Sequence, residues 1–279
     1  MPSPITSARA SSPAMRLDAT CTMRRALAFI DRFAPAFAFI GLLVAWELGC
    51  RVFKVPAFLL PAPSMIVAGA REQTLAIWST HLWATMRVAL MGYAVAICIS
   101  IPLAVALASS KTLARTLYPM IVVVHSTPIV AIAPIIVVTL GASDLPRVVI
   151  TFLITFFPIV VTTTTGLLAT PEELIELSRS LRADRAREML NIRLPYALPY
   201  IFSALKISTT LAVVGAVVAE FVAAEQGLGY FIQFATSFFK INQSFAALIF
   251  LVAMSLAFFQ LISLVQRVFA PWSLPKSER

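Results

Sequence analysis

Charged side chains are scarce in this sequence. Only 13% of its 279 residues are Asp, Glu, Lys or Arg, whereas 59% are hydrophobic and the mean hydropathy is +0.89. A soluble domain of ordinary composition carries about 25% charged residues, so the composition excludes one. A helix that crosses a bilayer needs about 20 apolar residues, and the chain contains several such runs. We therefore expect an integral membrane protein.

The motifs of catalysis and metal binding are also missing. The sequence has no Gly-x-x-x-x-Gly-Lys-Ser/Thr loop, so it is not expected to hydrolyse ATP itself. It has no His-Glu-x-x-His, Gly-x-Ser-x-Gly or paired-cysteine site. Its three cysteines, Cys21, Cys50 and Cys98, lack metal-type spacing, and His81 lies far from His125 in the sequence. We predict no catalytic residue, no metal site and no cofactor.

The basic residues lie beside the apolar runs rather than on a separate polar domain. A nucleic-acid-binding protein would gather them on a soluble face, so the net charge of +9 does not indicate a nucleic-acid partner. Most Lys and Arg residues fall before the first run, between the second and third, between the fourth and fifth, and after the last. The positive-inside rule then predicts a bacterial inner-membrane protein with both termini in the cytoplasm.

The apolar runs predict an all-α membrane protein with about six transmembrane helices. Backbone groups in lipid must bond within their own segment, and the runs are too uniformly apolar for barrel strands. The predicted spans are 33–53, 83–108, 118–140, 147–168, 196–223 and 244–267. They give a transmembrane domain at 33–268, preceded by a disordered cytoplasmic tail at 1–32 and followed by a cytoplasmic tail at 269–279.

The largest polar segment, 170–195, lies between the fourth and fifth spans. Thr170 and Glu173 have the spacing of a capping box, which predicts a helix start with Pro171 in its first turn. An apolar stripe follows at helical spacing, formed by Leu174, Leu177, Ser178 and Leu181. We expect an amphipathic helix that lies on the cytoplasmic side of the membrane.

A second short helix is expected in the same segment. Asp184 is placed to cap its start, and Leu194 with Pro195 is expected to turn the chain back into the membrane. The two helices would form a compact cytoplasmic projection, residues 171–193, which we call the knob. From composition alone a solvated loop explains the segment equally well, since charged loops are common between spans.

Four residues of this segment, Glu176, Ile192, Leu194 and Pro195, match a known pattern. They resemble, at the right spacing, the cytoplasmic Glu-Ala-Ala loop of binding-protein-dependent ABC importer permeases. The resemblance implies that the knob is a coupling element that inserts into a cytoplasmic ABC ATPase subunit. The coupling residues that it implies are Glu173, Glu176, Leu177, Arg179, Leu181, Arg182, Ala183, Ile192, Leu194 and Pro195.

The likeness extends over roughly residues 56–240, through short motifs such as Leu60-Pro61-Ala62-Pro63-Ser64 and Gly227-Leu228-Gly229. It resembles the branch that imports nitrate, sulfonates, taurine or thiamine-pyrimidine precursors. The family further implies a second permease copy, forming a homodimer, and a periplasmic or extracellular substrate-binding protein.

The sequence departs from the loop pattern at three positions. Leu177 and Ser178 stand where the family has two alanines, and Arg182 stands where it has a glycine. Leucine and serine preserve a small or apolar surface. An arginine at a turn that glycine usually makes is more consequential, because a positive φ is costly for a residue with a side chain.

Polar groups within the spans are candidates for a translocation path. Pro128 frees a backbone carbonyl and can kink the third span toward a water-lined channel. The candidates are His125, Ser126, Thr127, Pro128, Thr162 and Glu220. Structural roles explain them as well, since Thr often bonds its own helix backbone and Glu220 has Arg87 or Arg147 as possible partners.

Two other functions compete with an importer. An ion-gradient-driven secondary transporter predicts carboxylates at the membrane midplane and inverted repeats with broken helices, and neither is evident in the sequence. A membrane scaffold would use the knob as a partner dock, but it would not require polar, proline-containing spans. We therefore expect the permease subunit of an ATP-driven importer for a small anionic or pyrimidine-type substrate.

Overall fold

The computed structural model describes residues 34, 36–141 and 143–274. The predicted amino-terminal tail at 1–32 and the last five residues of the predicted carboxyl-terminal tail lie outside this range. All regular secondary structure among the described residues is helical. The prediction of an all-α protein is confirmed.

Eleven α-helices follow one another within the described residues. They are α1 at 36–52, α2 Pro63–Arg71, α3 Leu75–Ser109, α4 Lys111–Ser126, α5 Ile129–Leu140, α6 Asp144–Leu168, α7 Glu172–Ser180, α8 Arg185–Glu188, α9 Leu194–Ala223, α10 Leu228–Ser237 and α11 Ile241–Phe269. A π-helical turn, Met189–Arg193, joins α8 to α9, and a short 3-10 turn, Pro271–Ser273, follows α11.

Four of these helices are long and apolar enough to cross a membrane: α3, α6, the continuous helix Arg185–Ala223, and α11. The pair formed by α4 and α5 adds a fifth crossing if it is counted as one bent span. The first predicted span, 33–53, begins outside the described range and is helical over 36–52. The predicted number of six spans is therefore not confirmed, although a multi-pass helical protein is.

The third predicted span is broken in two rather than merely kinked. The axes of α4 and α5 differ by 91° across Thr127 and Pro128. Proline has no N–H to continue the helix, and its ring pushes the preceding residue out of the helical region. Thr127 is accordingly extended, with φ −73° and ψ 128°. A kink at Pro128 was predicted at the correct position, but the observed bend is larger than a kink.

The chain divides into two compact units, one ending at Ser64 and one beginning at Met65. In the first unit, Glu47 of α1 accepts hydrogen bonds from the backbone N–H of Ser64 at 3.0 Å and from its hydroxyl at 2.8 Å. Arg51, one turn further along α1, forms an ion pair with Glu47 at 2.6 Å. These contacts account for a carboxylate in an otherwise apolar helix.

The second unit is built on the packing of α6 against α3 and α9. A glycine lies at each close approach to Thr151 of α6. A Cβ atom on Gly92 of α3 would lie 2.5 Å from the Thr151 Cβ, and one on Gly215 of α9 would lie 2.9 Å from the Thr151 Cα. Membrane helices gain stability from close van der Waals packing, which small residues permit. These glycines therefore set the spacing of the three helices.

Candidate coupling knob and translocation path

The predicted capping box at the start of the knob is wrong. Thr170 is buried, and its hydroxyl donates to the carbonyl of Leu167 at 3.1 Å instead of accepting from α7. Leu167 belongs to the last turn of α6, where backbone carbonyls have no helical partner. The Thr170 hydroxyl thus bonds the end of α6 rather than the start of α7, and Pro171 precedes α7 without a side-chain cap.

The three leucines of the predicted apolar stripe on α7 face outward, whereas its fourth member, Ser178, is buried. Ile175 and Ser178 are the buried residues of this helix. Leu177 and Leu181 are 57% and 75% exposed, and Leu174 is exposed as well. The three leucines therefore form a free surface of the knob, since nothing in the described part of the chain covers them. Glu173 and Glu176 are also exposed on α7 and form no ion pair within that part.

The turn after α7 keeps the geometry of a glycine turn although it contains none. Arg182 has φ +55°. Its N–H bonds the carbonyl of Arg179 at 2.9 Å, and the N–H of Ala183 bonds the carbonyl of Ser178 at 3.1 Å. This pair of bonds is the Schellman motif, in which glycine is the usual left-handed residue. Arg182 adopts the family's expected turn at a cost in backbone strain.

We expect Arg182→Gly to stabilise the knob and Arg182→Val to loosen it. A left-handed conformation costs a residue with a Cβ about 1–2 kcal/mol, and a β-branched side chain tolerates it least. Hydrogen exchange at the Ala183 amide reports the opening of this turn. The valine variant should exchange about tenfold faster than the parent, and the glycine variant no faster than the parent. Equal exchange in all three would show that the turn is not strained.

The prediction that Asp184 caps the second knob helix is confirmed. Its Oδ1 atom accepts a hydrogen bond from the N–H of Arg187 at 3.0 Å. The predicted turn at Leu194 and Pro195 is wrong, because the helix continues from Arg185 to Ala223. The π-helical turn accommodates Pro195 within this helix. The N–H of Leu194 bonds the carbonyl of Met189, five residues earlier. This wider turn relieves the clash that a proline ring causes in an α-helix.

Glu188 connects the two halves of the knob. Its Oε1 atom accepts from Arg193 Nη2 at 2.7 Å and Nε at 2.8 Å, and both side chains are largely buried. Its Oε2 atom lies 3.8 Å from Nε of Arg179 on α7. The sequence analysis missed Glu188, since residues five apart do not face each other on an α-helix. Only the π turn brings Glu188 and Arg193 together.

The remaining predicted coupling residues lie on or beside this braced structure. Ala183 and Ile192 are half-buried within the knob, Leu194 is half-buried at the start of α9, and Pro195 is exposed next to it. The structure therefore brings the predicted set together on one projection. Their contact with an ATPase stays a prediction.

The break between α4 and α5 carries four of the predicted path residues, His125, Ser126, Thr127 and Pro128. The exposed imidazole of His125 stacks on Phe157 of α6, with ring centroids 3.9 Å apart and planes within 5°. The Ser126 and Thr127 hydroxyls donate to carbonyls one turn earlier in α4. Thr162 is half-buried in α6. Their role in a path stays a prediction.

Glu220, the last path candidate, is 1% exposed near the end of α9. Its Oε2 atom accepts from the N–H of Gly229 at 2.7 Å, and Oε1 has no hydrogen-bond partner among the described residues. Neither predicted arginine forms a direct ion pair with Glu220: Arg87 and Arg147 both pair with Asp144 at the start of α6, although Arg147 lies near enough to attract the Glu220 carboxylate. Asp144 lies close to Arg147 in sequence and draws Arg87 across from α3.

Two residues that the sequence analysis did not select join Glu220 at the start of α10. His81 Nδ1 accepts from the N–H of Gly227 at 3.1 Å, and Thr85 Oγ1 accepts from the N–H of Leu228 at 2.8 Å. Side chains of α3 and α9 thus satisfy three successive N–H groups that a helix start leaves free. Gly227 has φ +128°, a conformation that favours glycine. In the sequence, the Gly-x-Gly motif after a glutamate was the signal that could have indicated this arrangement at the start of α10.

Comparison with known proteins agrees with this geometry. A family model described as "Binding-protein-dependent transport system inner membrane component" matches residues 96–274. The chain is 33% identical over 238 residues to the formylaminopyrimidine transport permease protein ThiX of Halalkalibacterium halodurans, covering 85% of this chain and 95% of that one. It is 36% identical over 234 residues to the riboflavin transport system permease protein RibX of Chloroflexus aurantiacus, covering 83% and 87%.

A more distant relative is the nitrate import permease protein NrtB of Synechocystis sp., at 27% identity over 250 residues. Among solved structures, a chain of the MetNI methionine ABC transporter in an inward-facing conformation has a TM-score of 0.61 at 21% identity, covering 70% of this chain and 96% of that chain. This last likeness concerns the fold alone. With a family model matching more than half of its length and relatives above 30% identity, the chain belongs to the family of binding-protein-dependent transport system inner membrane components.

Proposed function

We propose that this chain is the permease subunit of an ATP-driven importer and that its knob docks into a cytoplasmic ABC ATPase. The outward-facing leucines of α7 carry the proposal. Leu174, Leu177 and Leu181 expose apolar surface on a charged projection outside the membrane spans. Exposed apolar surface rimmed by charges is typical of a protein interface. The bracing of the knob by Glu188 suits an element that transmits force as a rigid body.

The proposed cycle follows from that attachment. ATP binding would draw two ATPase subunits together and move the two knobs with them. Because the knob continues without a break into α9, its displacement reaches the membrane core directly. The path would then open alternately to the two sides of the inner membrane, with both chain termini in the cytoplasm. A binding protein would deliver the substrate on the opposite face.

We infer a homodimer from the surface of the broken span. The α4 and α5 helices pack against α6, with further contacts to α3 and α9, and expose much of their remaining surface. The exposed apolar residues there include Val123, Val124, Val130, Ile135 and Val138. A second copy facing this surface would enclose His125, Ser126 and Thr127 between the two chains. This arrangement supports their assignment to the path.

The relatives favour a small heterocyclic or anionic substrate. The two at 33% and 36% identity are named for formylaminopyrimidine and riboflavin, and the one at 27% for nitrate. We propose a pyrimidine-type solute in preference to an inorganic anion, because the higher identities fall on the heterocycle importers. The binding protein, rather than the path, would determine most of the selectivity.

Co-purification with the ATPase encoded beside this chain tests the proposal. We expect Glu176→Arg to lose the ATPase while its membrane insertion is unchanged, because the substitution reverses a charge on the free face of the knob. Glu225→Arg is the matched control, since Glu225 is an exposed carboxylate in the loop between α9 and α10, far from the knob in sequence. Retention of the ATPase by Glu176→Arg would mean that the docking surface is misplaced. Failure of the parent to bind any ATPase would favour a secondary transporter.

A further inference from the structure

A cleft of about 900 Å³ opens where the knob meets the ends of the membrane helices. One wall comes from the last turn of α3 and the first turn of α4, and the other comes from α7, α8 and the π turn. We call it the inner cleft. Basic residues from both walls converge on it.

The charges of the inner cleft do not balance. Lys111, Arg179, Arg185 and Arg193 line it, against a single acidic residue, Glu188. Glu188 is already engaged by Arg193 at 2.7 Å and lies 3.8 Å from Arg179. Lys111 and Arg185 form no ion pair with any residue that the structure describes. The cleft therefore presents an excess of positive charge to an anion.

The amino end of α4 adds to this excess. The helix begins at Lys111, on the wall of the cleft, and runs for 16 residues. The Ser110 hydroxyl accepts from the N–H of Leu113 at 3.3 Å, which leaves the first N–H groups of the helix free for another acceptor. A helix start with free N–H groups and a positive dipole end attracts phosphate and other anions.

Apolar residues line the cleft as well. Leu107, Leu168 and Met189 line it, and Leu168 is 58% exposed although it ends a membrane span. A cleft that combines basic groups with apolar side chains fits an amphiphile rather than a free water-soluble anion. Both α3 and α6 end at the cleft, at Ser109 and Leu168, and lipid headgroups are expected near the ends of membrane helices.

We propose that the inner cleft binds the phosphate headgroup of an anionic phospholipid, with the start of an acyl chain against Leu168. Basic pockets between membrane helices on the cytoplasmic side are suited to such headgroups. Because the two walls belong to the knob and to the α3–α4 turn, a bound lipid would brace the knob against the membrane core. The site goes beyond the transport function proposed above and does not depend on an ATPase.

Lipid binding to the full-length permease alone tests this inference. The purified chain is titrated with phosphatidylglycerol in a phosphatidylcholine background, and binding is followed by native mass spectrometry and thermal unfolding. Removing both unpaired charges with Lys111→Gln and Arg185→Gln should weaken phosphatidylglycerol binding roughly tenfold or more, given the usual contribution of each basic residue near anionic lipid. Phosphatidylcholine binding should not change.

The matched control is Arg115→Gln with Arg187→Gln. These residues lie on the same two helices, are exposed, and do not line the cleft. The control removes the same charge and should keep parental binding within about twofold. A second variant, Leu168→Trp, narrows the apolar wall without altering charge and should also weaken lipid binding.

Three outcomes would overturn the proposal. An equal loss in the control pair would show nonspecific attraction to an anionic surface. Full phosphatidylglycerol binding by both cleft variants would place the lipid elsewhere. The third outcome concerns thermal unfolding in millimolar inorganic phosphate. If phosphate stabilised the parent as much as phosphatidylglycerol does, and the Lys111 and Arg185 variant lost that stabilisation, the cleft would be assigned to a free phosphate compound instead.

Discussion

Gly215→Val is expected to reduce the yield of folded protein in the membrane at least tenfold. A Cβ atom at this position would lie 2.9 Å from the Cα of Thr151, so α9 could accept it only by moving away from α6. Extra methylenes in a packed core cost about 1–3 kcal/mol even when side chains can adjust. Here the obstacle is backbone, which has no other rotamer to adopt.

Gly49→Val is the matched control for this substitution. Gly49 also lies in an apolar helix, α1, and nothing lies within 4 Å of the position that a Cβ atom would occupy. Size-exclusion chromatography of the solubilised protein, together with the yield in the membrane fraction, measures both variants. Parental yield and elution for Gly215→Val would show that α6 and α9 are not held at the spacing described above.

The long membrane helices were predictable because their signal is local. A run of apolar residues long enough to cross a bilayer has few alternatives to a helix. The predictions for α6, α9 and α11 accordingly fall within three residues of the observed helix ends. The start of α3 was placed at 83 rather than at Leu75, since polar residues such as His81 lower the hydropathy there. His81 nonetheless lies within α3, where its side chain accepts a hydrogen bond from Gly227 across the structure.

The knob was predictable in position but not in its faces. Asp184 directly precedes α8 and caps it by accepting from the N–H three residues later, and the sequence displays that relation directly. Thr170 had two possible partners, α7 and the end of α6, and only the fold decides between them. The leucines of α7 formed a stripe at helical spacing, yet that stripe faces outward. Periodicity identifies an amphipathic helix without telling whether its apolar face packs inside or binds a partner.

The partner of the buried Glu220 carboxylate could not be predicted from the sequence either. Glu220 was matched in sequence to a distant arginine, on the ground that a charge in a membrane needs a partner. Its partner is the backbone N–H of Gly229, and the arginines are taken by Asp144. A backbone donor leaves no trace in composition, so such a site is visible only when the start of α10 is in place.

Glu188→Ala is expected to reduce substrate uptake at least tenfold while leaving membrane insertion unchanged. Removing this side chain strips Arg193 of both of its hydrogen bonds in a largely buried position. Removing one partner of a buried ion pair costs about 3–5 kcal/mol of stability. The cost here is expected at the lower end of that range, because Arg193 is still partly exposed. The knob would then move independently of α9, so that ATPase closure would no longer reach the membrane core.

Restoring the pair distinguishes this role from a general loss of stability. The exchange of Glu188→Arg with Arg193→Glu keeps opposite charges at the two positions, and we expect it to recover part of the lost uptake, whereas either single reversal should not. Glu225→Ala, which removes an exposed carboxylate that forms no ion pair within the described residues, should transport like the parent. ATP hydrolysis is measured alongside uptake. Continued hydrolysis without uptake means that the knob still docks but no longer transmits its movement. Parental uptake by Glu188→Ala would show that the continuous helix from α8 into α9 transmits that movement without the ion pair.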